Sequence, residues 1–433
     1  MGILPCAIAC TQSKSNIAKE DPNSSSSSSQ SRSHSHSHVL EYSSNSSSLA
    51  SQSSLPSVPS LTSPTPTTAT TVTAHHRCIA TLKGHSSYVF SLAITAQHLY
   101  SGSSDGEIRC WPPTIDAATA AGSTNSIIIT PPGKSAVKSI LASADNLLFN
   151  AHQDHRIRVW KIIDIDHKLL VTLPTVTDRI LRFLPPKNHV QVRRHKKRTW
   201  VHHVDAVSAL ALSPDAALLY SVSWDRTLKI WRTSDFRCLE SVANAHDDAI
   251  NAVAVSADGF VYTASADMKI KVWRRDKTHS LVSTLEKHRS AVNALALSSD
   301  GSILYSGACD RSIVVWERSR DSSSEQNHMA VVGAVRGHGK AILCLAAADD
   351  DVVCSGSADK TVRVWRRCGE EEKRFYTCLA VLEGHGGPVK CLAVSSNRVA
   401  MKIYSGSLDC DIKVWQLVYS SSIEEERRRG EED

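Results

Sequence analysis

One unit of sequence recurs seven times and limits the fold more than any other feature of the chain. It first appears as Tyr100-Ser-Gly-Ser-Ser-Asp105-Gly-Glu-Ile-Arg-Cys-Trp111. It returns with closing tryptophans at Trp160, Trp231, Trp273, Trp316, Trp365 and Trp415. An Asp stands six positions before each Trp: Asp105, Asp154, Asp225, Asp267, Asp310, Asp359 and Asp409. Four positions earlier come Ser101, Ser221, Thr263, Ser306, Ser355 and Ser405, with Asn150 as the exception. Between 20 and 24 residues before the Asp stands a His: His85, His203, His246, His288, His338 and His385. The second copy has Gly133-Lys134 there instead. Repeats of this kind must be read first, because they decide the architecture.

Between the marks the pattern alternates with period two, as in Ala252-Val253-Ala254-Val255 and Ile270-Lys271-Val272-Trp273. Alternation, β-branched residues and short turns predict strands, about four per copy. The Trp-to-Trp spacings are 49, 71, 42, 43, 49 and 50. A unit of about 40–45 residues with His and Trp marks is the pattern of a propeller blade. The fold class is therefore all-β, a seven-bladed β-propeller. The last copy ends at Trp415 with little room for a fourth strand. The stretch Cys78-Ile79-Ala80-Thr81-Leu82 lies just before Gly84-His85. It is expected to complete blade seven and so remove the open sheet edge of the ring.

The marks also fit one another chemically. A turn Asp accepts bonds from turn amides and from the imidazole, the imidazole bonds the hydroxyl, and the hydroxyl accepts from the indole N–H. The same residue types could form a hydrolase triad. Catalysis needs one such set in one cleft, whereas this chain repeats it, so structural tetrads are expected and no enzyme. Blade two lacks the His and the hydroxyl, so Asp154→Ala is expected to cost less there than Asp267→Ala in blade four.

Outside the repeats the chain has two tails. Residues 1–74 hold 21 serines among the 40 residues from Ser24 to Ser63, with Pro56, Pro59, Pro64 and Pro66. Such a segment buries too little apolar surface to offset its ordering entropy and is expected to be disordered. His34, His36 and His38 read as part of a polar linker, and Ser63-Pro64 and Thr65-Pro66 as weak phosphorylation motifs. Residues 419–433, with Glu424–Glu426 followed by Arg427–Arg429, read as a charged, disordered tail. Of a formal +6, the tails carry 0 and −3, which leaves +9 on the body, residues 75–418. The start of the chain lacks the basic flank of a secretory signal. Cys6 stands where a myristoylation motif wants Ser or Thr. No run approaches the ~20 apolar residues of a membrane span, so no membrane contact is expected. The 12 scattered cysteines, with no CxxC spacing, read as reduced intracellular thiols. No cofactor or metal site is expected.

The longest insertion separates Trp160 from Trp231 and contains Arg193, Arg194, Lys196, Lys197 and Arg198, then Trp200. Three readings stay open for this basic patch: an outer edge strand guarded by its charges, a localisation signal, or a surface for nucleic acid or an acidic partner. Trp200 stands ahead of its His mark as Leu82 does, which suits the edge strand. Residues beside the turn Asp are candidate partner contacts: His155, Trp224, Arg226, Arg311 and Lys360. Trp and Arg are enriched in binding hot spots.

These marks resemble the WD-repeat family. The closing Trp is never followed by Asp, and the Trp-Asp-x-Arg of cullin-ligase substrate receptors is missing, which argues against that use. In detail the text resembles the JINGUBANG-like WD-repeat proteins of plants. The stretches that carry this are Ala151–Trp160, Pro185–Arg198, Ser223–Thr227, Cys238–Ser241, Ala245–Ala249, Gly356–Lys360 and Gly384–Cys391. The resemblance implies a non-enzymatic scaffold for protein–protein interactions in plant regulation, nuclear and cytoplasmic, working as a monomeric propeller with protein partners. The alternative is a nucleic-acid- or phosphate-binding nuclear regulator that uses the basic insertion.

Overall fold

The strand Val292–Leu297 alternates buried and half-buried side chains along Val-Asn-Ala-Leu-Ala-Leu. The strand after it, Ile303–Ala308, is buried throughout, because a neighbouring blade covers each of its faces. Repeated round a ring, this contrast builds the molecule. The computed structural model of the chain describes residues 58–62, 74–95, 97–112, 126–163, 166–183, 189–193, 196–276, 278–318, 329–348, 351–369, 374–396 and 400–419, with residues 179, 181–183, 189–193 and 196–199 as backbone alone. All lie in one compact unit, Ser57–Asp433.

Seven antiparallel four-stranded sheets form the blades. Their innermost strands are Val89–Ile94, Val137–Ala142, Val207–Leu212, Ile250–Val255, Val292–Leu297, Ile342–Ala348 and Val389–Ser396, and each touches the next until the last meets the first. Blade seven is closed from the other end of the chain. Ala74–Leu82 pairs with Ile412–Tyr419, from Ala74 opposite Tyr419 to Leu82 opposite Ile412, with a bulge between Cys78 and Ala80. The body thus runs one residue past 418, to Tyr419.

Apolar clusters join one blade to the next. One unites Tyr305, Ile313 and Val335 of blade five with Val353, Trp365 and Tyr376 of blade six. A tyrosine on a second strand also reaches the next blade's outer strand in three places. Tyr100 meets His167 at 3.1 Å, Tyr220 meets His279 at 3.3 Å, and Tyr305 meets Tyr376 at 3.1 Å. A phenol buried between blades needs such a partner.

Three features depart from the sequence reading. First, the basic insertion is not an edge strand of a blade. The outer strand of blade two is Asp166–Leu173, and Lys196–Thr199 pairs only with His189–Arg193 in a separate hairpin. The Trp200 spacing misled because the inserted residues fall between that outer strand and the His mark. Second, among the described residues the all-β fold carries one α-helix, Val176–Phe183. Thr175 caps it by accepting the Asp178 amide at 3.0 Å, and Asp178 accepts the Cys238 amide at 3.1 Å. Third, residues 58–62, assigned to the tail, pack on the propeller. The rest of the expected tails, 1–57, 63–73 and 420–433, lies outside the described residues. No helix among the described residues is long and apolar enough to cross a membrane.

Candidate functional site: the Asp-turn face

In blade four Trp273 Nε1 donates to Thr263 Oγ1 at 2.9 Å, Thr263 Oγ1 meets His246 Nε2 at 2.8 Å, and His246 Nδ1 meets Asp267 Oδ2 at 2.8 Å. One proton arrangement serves the whole chain of bonds: Nδ1–H points at the carboxylate, so Nε2 accepts from the hydroxyl. The hydroxyl sets repeat as Trp111–Ser101–His85, Trp231–Ser221–His203, Trp316–Ser306–His288, Trp365–Ser355–His338 and Trp415–Ser405–His385, with both bonds between 2.7 and 2.9 Å. The imidazoles meet Asp225, Asp310, Asp359 and Asp409 at 2.8 to 3.2 Å. In blade one the expected tetrad is open at one step: His85 Nδ1 stands 3.7 Å from Asp105 Oδ2, too far for a hydrogen bond, and is buried without a partner, while Asp105 Oδ2 accepts from the Ser86 amide and hydroxyl.

Burial by itself would raise the Asp310 carboxyl, but the bonds from His288, Ser312 and the Arg289 amide outweigh it and hold the group at about 2. Asp359 and Asp409 are held low in the same way, by His338 and His385. Burial pushes His85 down to about 4. The repetition assigns these groups to holding loop against turn.

Blade two solves the same problem differently. Asn150 replaces the hydroxyl, and both polar atoms of its amide are buried without partners, as is Trp160 Nε1. Arg158, only 1% exposed, turns its guanidinium into the space where the other blades hold His. It meets Asp154 at 2.6 Å and the Pro132 carbonyl at 2.7 Å. The expected gap is present at the Asn150–Trp160 end of the network, whereas at the other end Asp154 has a cation as its partner. Arg158 was missed because Arg109, Lys229, Lys271, Arg363 and Lys413 occupy the same place in other copies.

Each tetrad ties the loop entering a blade to the turn between its second and third strands, so these loops and turns share one face. The turn repeats closely. Arg226 N donates to Ser223 O at 3.1 Å, Met268 N to Ser265 O at 3.3 Å, Arg311 N to Ala308 O at 3.2 Å and Lys360 N to Ser357 O at 3.1 Å. The residue after the Asp has a left-handed backbone in every blade. The φ values are 87° at Gly106, 69° at His155, 67° at Arg226, 70° at Met268, 69° at Arg311, 74° at Lys360 and 74° at Cys410. Glycine takes this conformation without strain, yet it occupies only one of the seven turns.

Four of the five expected contact residues, His155, Arg226, Arg311 and Lys360, are thus the strained residue of their turn. Arg226, Arg311 and Lys360 are exposed, and His155 is half-buried. Trp224, also half-buried, precedes the Asp. Lys138 Nζ sits 5.2 Å from its ring centre and 4.3 Å from that of Phe90. Sequence reasoning missed Lys138 and Phe90, which come from the inner strands of blades two and one. In the basic patch, Arg193 and Lys196–Arg198 lie on the backbone of the two-stranded hairpin, and Arg194 lies outside the described residues.

One set of metal-ligating types lies close together among the described residues: His85, Asp105 and Glu107, with donor atoms within 4.8 Å. Glu107 is already bound by Arg109 at 2.9 Å, and that guanidinium puts positive charge beside the group. It is the blade-one tetrad with a neighbouring ion pair.

The family model "WD domain, G-beta repeat" matches residues 76–112, 194–232, 237–274, 279–317, 329–366 and 376–416, more than half of the chain. The chain belongs to that WD40 repeat family. Between the first two matches, the unmatched residues 113–193 hold blade two and its arginine-based network. Human striatin-4 is 27% identical over 199 residues, covering 40% of this chain and 26% of striatin-4. A probable cytosolic iron-sulfur protein assembly protein 1 from Neurospora crassa is 42% identical over 72 residues, covering 16% of this chain and 15% of that protein. The chain therefore spans about a quarter or less of these relatives' lengths. The crystal structure of the WD40 β-propeller domain of Doa1 is similar with a TM-score of 0.58 at 21% identity, over 78% of this chain and 96% of that one. That likeness concerns the fold.

Proposed function

We propose that this chain is a non-catalytic scaffold that binds protein partners through the Asp-turn face. One observation carries the reading: six turns hold a side chain in a backbone conformation that glycine would adopt more easily. Backbone strain gathers at sites of contact; Asn146, Ala216, Phe236 and Asn244 are left-handed in other loops, but at the Asp turn the conformation recurs in every blade, which supports a use of that face. Arg226, Arg311 and Lys360 stand out from it, and Trp224 adds an aromatic anchor. By resemblance, the setting is plant regulatory signalling, of the JINGUBANG-like kind, in nucleus and cytoplasm. The repeated use of His, Ser and Asp as tetrads supports a scaffold rather than an enzyme.

The hairpin 189–199 favours a second role for the basic run, because it stands apart from the blades as its own two-stranded sheet. We read it as a localisation signal or a patch for acidic partners. The test is recovery of partners by the full chain in buffer of stated salt, with and without nuclease. Trp224→Ala with Arg226→Ala should lose a protein partner that the wild-type chain recovers, while melting is unchanged. Nuclease-sensitive recovery that survives this change, but is lost with Lys196→Ala, Lys197→Ala and Arg198→Ala, would instead support nucleic-acid binding. Exclusion of the triple variant from the nucleus, with partner recovery intact, would assign the run to localisation.

A further inference from the structure

The segment Val58–Thr62 lies in the seam between the outer strands of blades five and six. Leu61 N donates to Ala334 O at 2.9 Å, Ala334 N to Pro59 O at 2.8 Å, and Tyr376 N to Leu61 O at 2.7 Å. The segment thus adds in parallel to Met329–Arg336 at Ser60 opposite Ala334, and reaches the start of Phe375–Leu382 at Thr62 opposite Tyr376. Thr62 Oγ1 accepts the Arg336 amide at 2.8 Å and donates to the Arg336 carbonyl at 3.1 Å. Val58 and Leu61 are buried, and Leu61 joins the apolar cluster that includes Tyr305, Val335 and Tyr376.

The propeller is shaped for this segment. A Cβ on Gly333 would stand 2.5 Å from Leu61 Cγ. Gly333 pairs with Val315, the residue before the blade's Trp. The residues at the same register in the other six outer strands are Ala80, Ile127, Val171, Glu240, Ser283 and Ala380. The missing side chain in blade five is the space that Leu61 fills, and Gly333 is not among the residues of positive φ, so no turn geometry requires a glycine there. Blades five and six are both complete four-stranded sheets without the segment. It is held by a few main-chain bonds, one hydroxyl and two apolar side chains, so it can leave without opening a blade.

We propose that this seam is a peptide-docking site, separate from the Asp-turn face, for an extended segment of the pattern apolar–Pro–x–Leu–Thr, and that the chain's own Val58–Thr62 occupies it reversibly. Strand addition supplies affinity through the main chain, and the Gly333 pocket supplies selectivity for Leu. Residues 63–73 tether the segment to the strand that begins at Ala74. A tether of that length gives an effective concentration of about millimolar. A weak segment therefore stays docked in cis, and a partner carrying the same pattern must exceed that concentration or bind more tightly to replace it.

The probe is a fluorescein-labelled peptide of residues 54–66, titrated by anisotropy into the full chain. Leu61→Glu in the chain should empty the seam and raise the peptide's affinity at least tenfold over wild type. Adding Gly333→Val to that variant should return affinity to the wild-type level or below. A labelled peptide that itself carries Leu61→Glu should not bind. Equal affinity for all three chains, or no binding to a Leu61→Glu chain that still melts cooperatively, overturns the proposal. Hydrogen exchange on the wild-type chain decides the matter if the variants do not fold. The amides of Ala334, Arg336 and Tyr376, which bond only the segment, should exchange at least tenfold faster than those of Ser312–Arg318. Equal protection would mean a fixed strand and not an exchangeable ligand.

Discussion

Arg158 takes in blade two the place that histidine holds in the other six, with its Nη2 2.6 Å from Asp154 Oδ2. Removing the carboxylate leaves a guanidinium that is 1% exposed without its counter-charge. Breaking a buried pair from one side costs about 3–5 kcal/mol. Asp154 is partly open to solvent, which puts the expected loss for Asp154→Ala near the lower end. Urea unfolding should therefore show Asp154→Ala at least as destabilising as Asp267→Ala. Asp154→Ala combined with Arg158→Met should recover part of the loss. A near-neutral Asp154→Ala would show that the pair holds nothing together.

Asn150 sits where the other blades place a hydroxyl, and it leaves its own amide and Trp160 Nε1 without partners. Asn150→Ser would give that indole the acceptor Trp111 and Trp231 already have. Satisfying a buried donor is worth about 1 kcal/mol. The variant is expected to melt higher than wild type; a lower melt would mean that the lost amide volume outweighs the new bond.

The ring, the closure and five complete tetrads were legible because each rests on residues at fixed spacing, and a spacing repeated seven times cannot be read as chance; the sixth, in blade one, has its residues in place but not its His85–Asp105 bond. What failed to show was local. Arg158 looks like the basic residues at its position in other copies, and only the missing His gives it a different partner. Val58–Thr62 carries no period and lies in serine-rich text, so its seat becomes visible only beside Gly333. The left-handed turns were half legible: Asp105-Gly106 is an ordinary turn pair, but the residues replacing glycine in six copies disguise the same geometry.

Those turns predict a trade between stability and contact. A non-glycine residue in the left-handed region costs roughly 1–2 kcal/mol, part of which glycine returns as chain entropy. Arg226→Gly, Arg311→Gly and Lys360→Gly should each stabilise the chain by about 0.5 kcal/mol while weakening recovery of protein partners. Lower melting in all three would mean that these side chains brace the propeller instead.

Acid should weaken the fold in a defined window. Burial lowers His152 to about 4, with Arg158 adding to the effect, against the Ser135 carbonyl and Asp154, which favour the proton. The unfolded value is about 6.5. Between those values the unfolded chain binds a proton that the folded chain refuses. Stability from this group is therefore complete above about pH 6.5, falls towards pH 4, and changes no further below. At pH 5 the loss amounts to about 2 kcal/mol. Five of the other blades carry Ser at this position, so His152→Ser is the natural control. Its stability should decline less steeply from pH 7 to 5 than that of wild type. Identical slopes would mean that His152 stays accessible to protons in the folded state.

Closure of the ring gives the last test. Ala74–Leu82 covers the edge of Ile412–Tyr419, puts Ala80 and Leu82 into the cluster with Trp111 and Val414, and takes the Lys413 ammonium on Thr81 at 3.1 Å. A chain starting at Val58 keeps this strand and the docked segment, and should melt as the full chain does. One starting at His75 loses Val58–Thr62 and the first residue of the strand, and should melt slightly lower. One starting at Lys83 loses the whole strand, strips the apolar cover from blade seven, and bares the edge of Ile412–Tyr419. An unpaired edge of that length invites pairing with another chain. Light scattering should then show self-association, together with a much lower or non-cooperative melt. If the chain starting at Lys83 stays monomeric and melts with the one starting at His75, the ring does not depend on the strand that joins its ends.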